Sequence, residues 1–174
     1  MDSRGFLHEY KRGDRNFAGV ILQGADLSQQ TLSGIDFSQA DLSGVDLRGA
    51  NLSRANLKYA NLTNADLTGA DLSGAHLEEV NLLGAVLKDA NLVGSNLIRA
   101  DLRAVNFDGA NLEGANLSNT TIKRGDLQGA NLSGACVEGV DLSVPDLAAA
   151  SVAAIRSTDT PATSQAECSW VPRS

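Results

Sequence analysis

Leucine returns every fifth residue through most of the chain. In residues 49 to 75, GANLSRANLKYANLTNADLTGADLSGA, Ala comes first, then Asn or Asp, then Leu, then two variable positions. Steps of five from Phe17 to Leu147 give 27 such centres, and every one is apolar: 22 are Leu, and the others are Phe17, Phe37, Phe107, Ile122 and Val137. Two places before the centre, Ala fills 15 of 26 positions from Val20 to Pro145. Asn or Asp precedes 21 of the 27 centres, and 14 of the 17 glycines stand two places after one. The phase holds over some 130 residues, which leaves no linker and no second domain inside it.

Neither regular element accommodates this period. On an α-helix, at about 100° per residue, a step of five turns a side chain by about 500°, so successive leucines scatter around the axis. On a straight strand, side chains alternate, and a step of five sends consecutive leucines to opposite faces. A common side for all the centres therefore requires the chain to turn a corner in each repeat. Centre and Ala then point inward and three side chains point outward. The glycines supply the positive φ that such a turn needs. Asn or Asp before the centre bonds nearby backbone and holds the bend. One coil cannot bury its own leucines, whereas stacked coils can, with backbone groups pairing between coils about 4.8 Å apart.

The pattern A-(D/N)-L-x-x, as in ANLKYANLTNADLTGADLSGA, is similar to that of the pentapeptide-repeat family over residues 16 to 150, and most like its Leu-centred, cyanobacterial members. The resemblance implies an all-β solenoid, a right-handed quadrilateral β-helix of four pentapeptides per coil and about seven coils. The boundaries that follow are an N-terminal helical cap at 1–15, the repeat at 16–145, a C-terminal cap at 146–156 and a flexible polar tail at 157–174. In the first, Phe6, Leu7 and Tyr10 share one helical face, Ser3 caps the start and Gly13 ends it. In the third, Pro145 and Asp146 open a helix through LAAASVAAIR, or else one weaker pentapeptide surrounds Val152.

Composition narrows the function classes. The formal net charge of −7 disfavours direct nucleic-acid binding, which rests on Lys and Arg neutralising phosphates. No stretch reaches the roughly 18 to 20 apolar residues of a membrane helix, and the charged N-terminus has no apolar signal core. Cys136 and Cys168 are the only cysteines, read here as two thiols in a reducing, cytoplasmic setting. His8 and His76 lie far apart in the repeat frame, no Ser–His–Asp set assembles, and the spaced glycines are turn residues and not a phosphate loop. The expectation is a protein that is not an enzyme and uses no metal or cofactor.

Sorting the outward residues by a twenty-residue coil concentrates acid on one side. The face centred on Leu27, Leu47, Leu67, Leu87, Phe107, Leu127 and Leu147 carries Asp26, Asp46, Asp66, Asp89, Asp108, Asp126 and Asp146, opposed only by Arg48 and Lys88. The face centred on Leu42 and Leu102 sets Asp41, Asp101 and Asp141 against Arg103, Lys123 and Arg124. A third, bearing Lys58, Tyr59, Glu78, Glu79, Arg99 and Glu138, is mixed. These features predict a rigid rod, a monomer or a dimer through its C-terminal segment, whose faces bind a protein partner. The alternative, drawn from the gyrase-protecting branch of the family, is a DNA mimic that binds a type II topoisomerase through the acidic face. That branch favours Phe centres and, in several lineages, an interrupting loop. This chain has Leu centres and an unbroken phase.

Overall fold

The computed structural model describes residues 3–125 and 127–140. It opens with helix α1, Ser3–Lys11, the single helix among the described residues. Gly13, at φ 107°, ends it, and its N–H reaches back to the Tyr10 carbonyl at 3.0 Å. The apolar face expected from Phe6, Leu7 and Tyr10 is the face that packs. Phe6 is fully buried, its ring 4.7 Å from Phe17 edge-to-face and 5.4 Å from Phe37. Arg15 lies over the outer ring of Tyr10, 4.0 Å from its centroid, a cation–π contact at the junction with the repeat.

Beyond α1 the chain pairs with itself at a constant offset of twenty. Parallel bridges run Asn16↔Asp36, Asp36↔Asn56, Asn56↔His76, His76↔Asn96, Asn96↔Asn116 and Asn116↔Cys136 up one side, and three further columns follow the same offset. Four pentapeptides thus close one circuit. Each bridge is one residue long, so the sheets consist of short rungs between corners and not of extended strands. Leu67 shows the unit: its N–H donates to the Val86 carbonyl one coil on at 2.7 Å, while its own carbonyl receives the Ala70 N–H at 2.9 Å and closes a β-turn.

The third residue of that turn is left-handed in every repeat from Gly19 to Gly139. This is the type II signature, and glycine meets it without strain. Eleven repeats have a side chain there instead, among them Arg54, Tyr59, Asp89, Ala104 and Asn119, with φ between 55° and 61°. Stacking on both sides holds these residues in a region that non-glycine residues otherwise avoid.

The interior is one continuous core. Every described centre from Leu22 to Val137 is buried, together with the small residues two places earlier, Ala50, Ala65, Ala85 and Ala110 among them. Alanine suits this second position because it faces across a narrow shaft already filled by leucine. Ser95 takes one such position with no exposed surface, and its Oγ has no hydrogen-bond partner among the described residues. An unmet buried hydroxyl costs about 1–3 kcal/mol. Ser95→Ala is therefore expected to raise the thermal unfolding midpoint, and an unchanged or lower midpoint in a thermal melt would show that the hydroxyl is satisfied.

One cysteine expectation is corrected. Cys136 is disulfide-bonded, and it is buried at its bridge position, so it is not the free thiol read from the sequence. With Cys136 bonded, the cysteines no longer point to a reducing compartment. The C-terminal cap at 146–156, the tail at 157–174 and the last part of the seven-coil count lie outside the described residues.

Candidate interaction face

The residue before each centre serves the bend before it serves anything else. In repeat after repeat its Oδ1 accepts the backbone N–H two residues on: Asp26 from Ser28 at 3.0 Å, Asp46 from Arg48 at 3.1 Å, Asn61 from Thr63 at 3.2 Å, Asp66 from Thr68 at 3.0 Å. This Asx turn needs only a carbonyl-like oxygen, which is why Asn and Asp interchange there. Between coils the amides also reach across, Asn56 to Asp36 at 3.0 Å and Asn91 to Asp71 at 3.0 Å.

On the acidic face the register stacks Asp26, Asp46 and Asp66 in one bridge column. Asp108 and Asp89 follow on the same side, Asp89 at a left-handed corner with its carboxylate over Gly109 of the next coil. Asp126 and Asp146 lie outside the described residues. The basic residues are placed against the acids and do not stand apart from them. Arg48 binds Asp46 at 2.5 Å and approaches Asp66 at 3.8 Å, and Lys88 pairs with Asp108. The column is thus a partly compensated strip, acid-rich at its Asp26 end.

Hydrogen bonds hold two of these carboxyls, Asp26 and Asp46, below the usual carboxylate range. For Asp26 the Ser28 hydroxyl dominates, with the Ser28 N–H adding to it, against the cost of partial desolvation and a lesser repulsion from Asp46. For Asp46 the Arg48 guanidinium dominates, as Arg103 does for Asp101 on the neighbouring face. A group depressed in the folded state stabilises it above its unfolded pKa, and the contribution disappears as pH falls through the folded value. Stability is expected to be flat above about pH 5 and to fall below about pH 4. The acid loss should be smaller in Arg48→Gln and Arg103→Gln, as thermal melts between those conditions and strong acid would read directly; equal losses in wild type and variants would dismiss the pairs as its source.

The mixed face carries a cluster that sequence reasoning did not assemble. Glu78 Oε1 accepts from Lys58 Nζ at 3.1 Å and from Asn96 Nδ2 at 2.9 Å, with His76 Nδ1 at 3.7 Å. The twenty-residue frame relates 58 to 78 and 76 to 96, and that relation was the signal available. Tyr59 stands exposed beside it. Among the described residues no set of His, Cys, Asp or Glu is placed to hold a metal ion. A surface depression of about 510 Å³, lined by Ser33, Gly34, Ser53, Arg54, Asp71 and Ser73, lies on a further face.

The profile of the family described as Pentapeptide repeats matches residues 20–58, 46–84, 65–103, 81–119 and 106–143. The chain is a pentapeptide-repeat protein. Solved structures agree. A pentapeptide repeat protein of the Arabidopsis thaliana thylakoid lumen is 35% identical over 62% of this chain and 68% of its own, with a TM-score of 0.50. Rfr23, from the cyanobacterium Cyanothece 51142, is 26% identical over 79% and 93%, with a TM-score of 0.59. QnrB1, a plasmid-mediated fluoroquinolone resistance protein, matches in one trypsin-treated variant at 21% identity over 84% and 86%, with a TM-score of 0.54, a likeness of fold alone. Among curated proteins no sequence match emerges. The right-handed quadrilateral β-helix of the family accounts for the four corners per twenty residues found in this pentapeptide-repeat protein.

Proposed function

We propose that this protein is a non-enzymatic rod that presents its walls to a protein partner. The observation that carries the reading is the division of labour along each repeat. Centres and Ala positions fill the shaft, Asn and Asp oxygens hold the bends, and only the two turn residues are left to vary. Those positions hold Arg48, Arg54, Lys58, Tyr59, Glu79, Lys88, Asp89 and Arg99, charged or aromatic groups of the kind that recognises another surface. That eleven repeats keep side chains at a left-handed corner, where glycine is easier, fits selection for what those side chains present.

The acid-rich strip from Asp26 to Asp66 favours a basic contact surface on the partner, and Asp89 and Asp108 extend the candidate face. Quantitative affinity capture with wild type and with Asp26→Lys/Asp66→Lys tests this. A partner lost by that variant, and kept by a Lys123→Glu control of equal melting temperature, supports the reading; a partner retained by both variants moves the site to another face.

A second reading rests on the stacked Asp26, Asp46 and Asp66: a duplex mimic that occupies the DNA site of a type II topoisomerase. Arg48 and Lys88 within the strip weaken its likeness to a phosphate backbone. Gyrase supercoiling assayed on gels decides, since inhibition abolished by charge reversal at Asp46 and Asp66 would favour the mimic and its absence at micromolar protein would remove it.

The cytoplasmic expectation now competes with an oxidising location, because the disulfide at Cys136 persists most readily outside reducing compartments. A lumenal relative shows that the fold occurs in such a place. Among the described residues no helix is long and apolar enough to cross a membrane.

A further inference from the structure

Of the eleven left-handed corners that carry a side chain, five stand consecutively on one edge. They are Gln39, Tyr59, Glu79, Arg99 and Asn119, each donating its N–H to a carbonyl one coil on. On other edges Gln29, Asn64 and Asp89 have glycine one coil on and lie across it. A Cβ at Gly49 would strike the Gln29 amide, one at Gly84 the Asn64 Oδ1, and one at Gly109 the Asp89 carboxylate. For Gln39, Tyr59, Glu79 and Arg99 that path is closed, because the next corner carries a Cβ of its own, and all four are exposed. Tyr59 is 56% exposed, and Glu79 and Arg99 pair loosely at 3.7 Å with both side chains open to solvent. We infer that this edge is a self-association surface, on which a second copy of the chain docks antiparallel.

Rise selects the kind of partner. Corners along the edge recur about every 4.8 Å, the spacing of paired backbone. A helix presents one face about every 5.4 Å and a strand about every 6.7 Å, so either slips out of step within a few rungs. A second rod has the same rise and stays in step. Charge selects the direction. Parallel pairing would set Glu79 on Glu79 and Arg99 on Arg99. Antiparallel pairing about a two-fold axis between these rungs sets Glu79 of one copy against Arg99 of the other, twice, and brings Tyr59 opposite Asn119. The four charges then alternate in sign around a square, each keeping its neighbour in the chain and gaining one across the axis. Tyr59 adds the aromatic surface that interfaces favour. The edge is separate from the acid-rich strip, so self-association leaves that wall open to another protein.

Sedimentation velocity of the full chain between about 1 µM and about 1 mM, the range in which small interfaces associate, tests this. Wild type should pass from monomer to dimer across that range. Glu79→Arg alone and Arg99→Glu alone should each lower the association constant about tenfold or more, because each makes all four charges alike. A mixture of the two variants should associate again, since one copy then carries two cations and the other two anions. That recovery separates contact between copies from a change within one, because neither chain regains its own pair. Tyr59→Ala should weaken association by a similar factor. Arg54→Glu, a charge reversal on another edge, should leave it unchanged. Wild type still monomeric at the top of the range would overturn the pairing. So would single variants that dimerise as well as wild type, which would place the contact elsewhere, or a mixture that stays monomeric.

Discussion

Replacing Leu67 by Ala is expected to cost about 2–5 kcal/mol of unfolding free energy, the cost of deleting a fully buried leucine where the surroundings collapse only in part. Leu67 has no exposed surface, and the register stacks it between Leu47 and Leu87, themselves fully buried. Its backbone is fixed from both neighbouring coils, so the wall cannot sink into the space left behind. Asp66 N–H donates to Val45 on one side and Leu67 N–H to Val86 on the other. The proper control is Glu113→Ala, an exposed side chain one place after a centre, which should change stability by no more than about 0.5 kcal/mol. Denaturant titration of both variants reads the contrast. Similar midpoints would mean that centre and wall had been assigned the wrong way round.

The second large effect lies at the other kind of contact. Phe6→Ala should cost about 3–5 kcal/mol, since Phe6 is buried against Phe17 and Phe37 and carries the attachment of α1 to the repeat. Amide protection should fall first in Ser3–Lys11 and around Phe17, while the interior rungs near Leu67 keep theirs, which separates loss of a lid from general destabilisation. Uniform loss of protection along the rod would instead mean that the chain unfolds as one unit. We propose on this basis that α1 shields the apolar end of the shaft, as the sequence reading of residues 1–15 expected.

Much of this architecture was legible because its rule is local and repeated. A period of five that keeps Leu and Ala on one side admits only a chain that turns once per repeat, and burial at Leu62, Leu67 and Ala65 follows. The acidic strip was legible only after a twenty-residue circuit was supposed, since nothing in the local pattern sets the number of repeats per coil. What escaped depended on particular side-chain positions. Arg48 bridging Asp46 and Asp66, and Glu78 gathering Lys58, Asn96 and His76, depend on which rotamers meet across a rung, and a composition sorted by face does not show this. The bonded state of Cys136 escaped because two cysteines with no periodic relation to each other offer no spacing to read. The left-handed corner at Tyr59 or Ala104 escaped for the opposite reason: glycine marked the corner in most repeats, and its absence elsewhere looked like freedom when the turn was the same.

The constant offset of twenty implies two different tolerances to length change in the gene. Removing or duplicating five residues keeps every downstream leucine inside the shaft, yet carries each downstream wall residue a quarter of the way round the rod. Removing or duplicating twenty leaves both in place and only shortens or lengthens the ladder. The interior therefore keeps time in fives and the surface in twenties, so copying errors in single repeats can reshuffle binding faces without disturbing the fold.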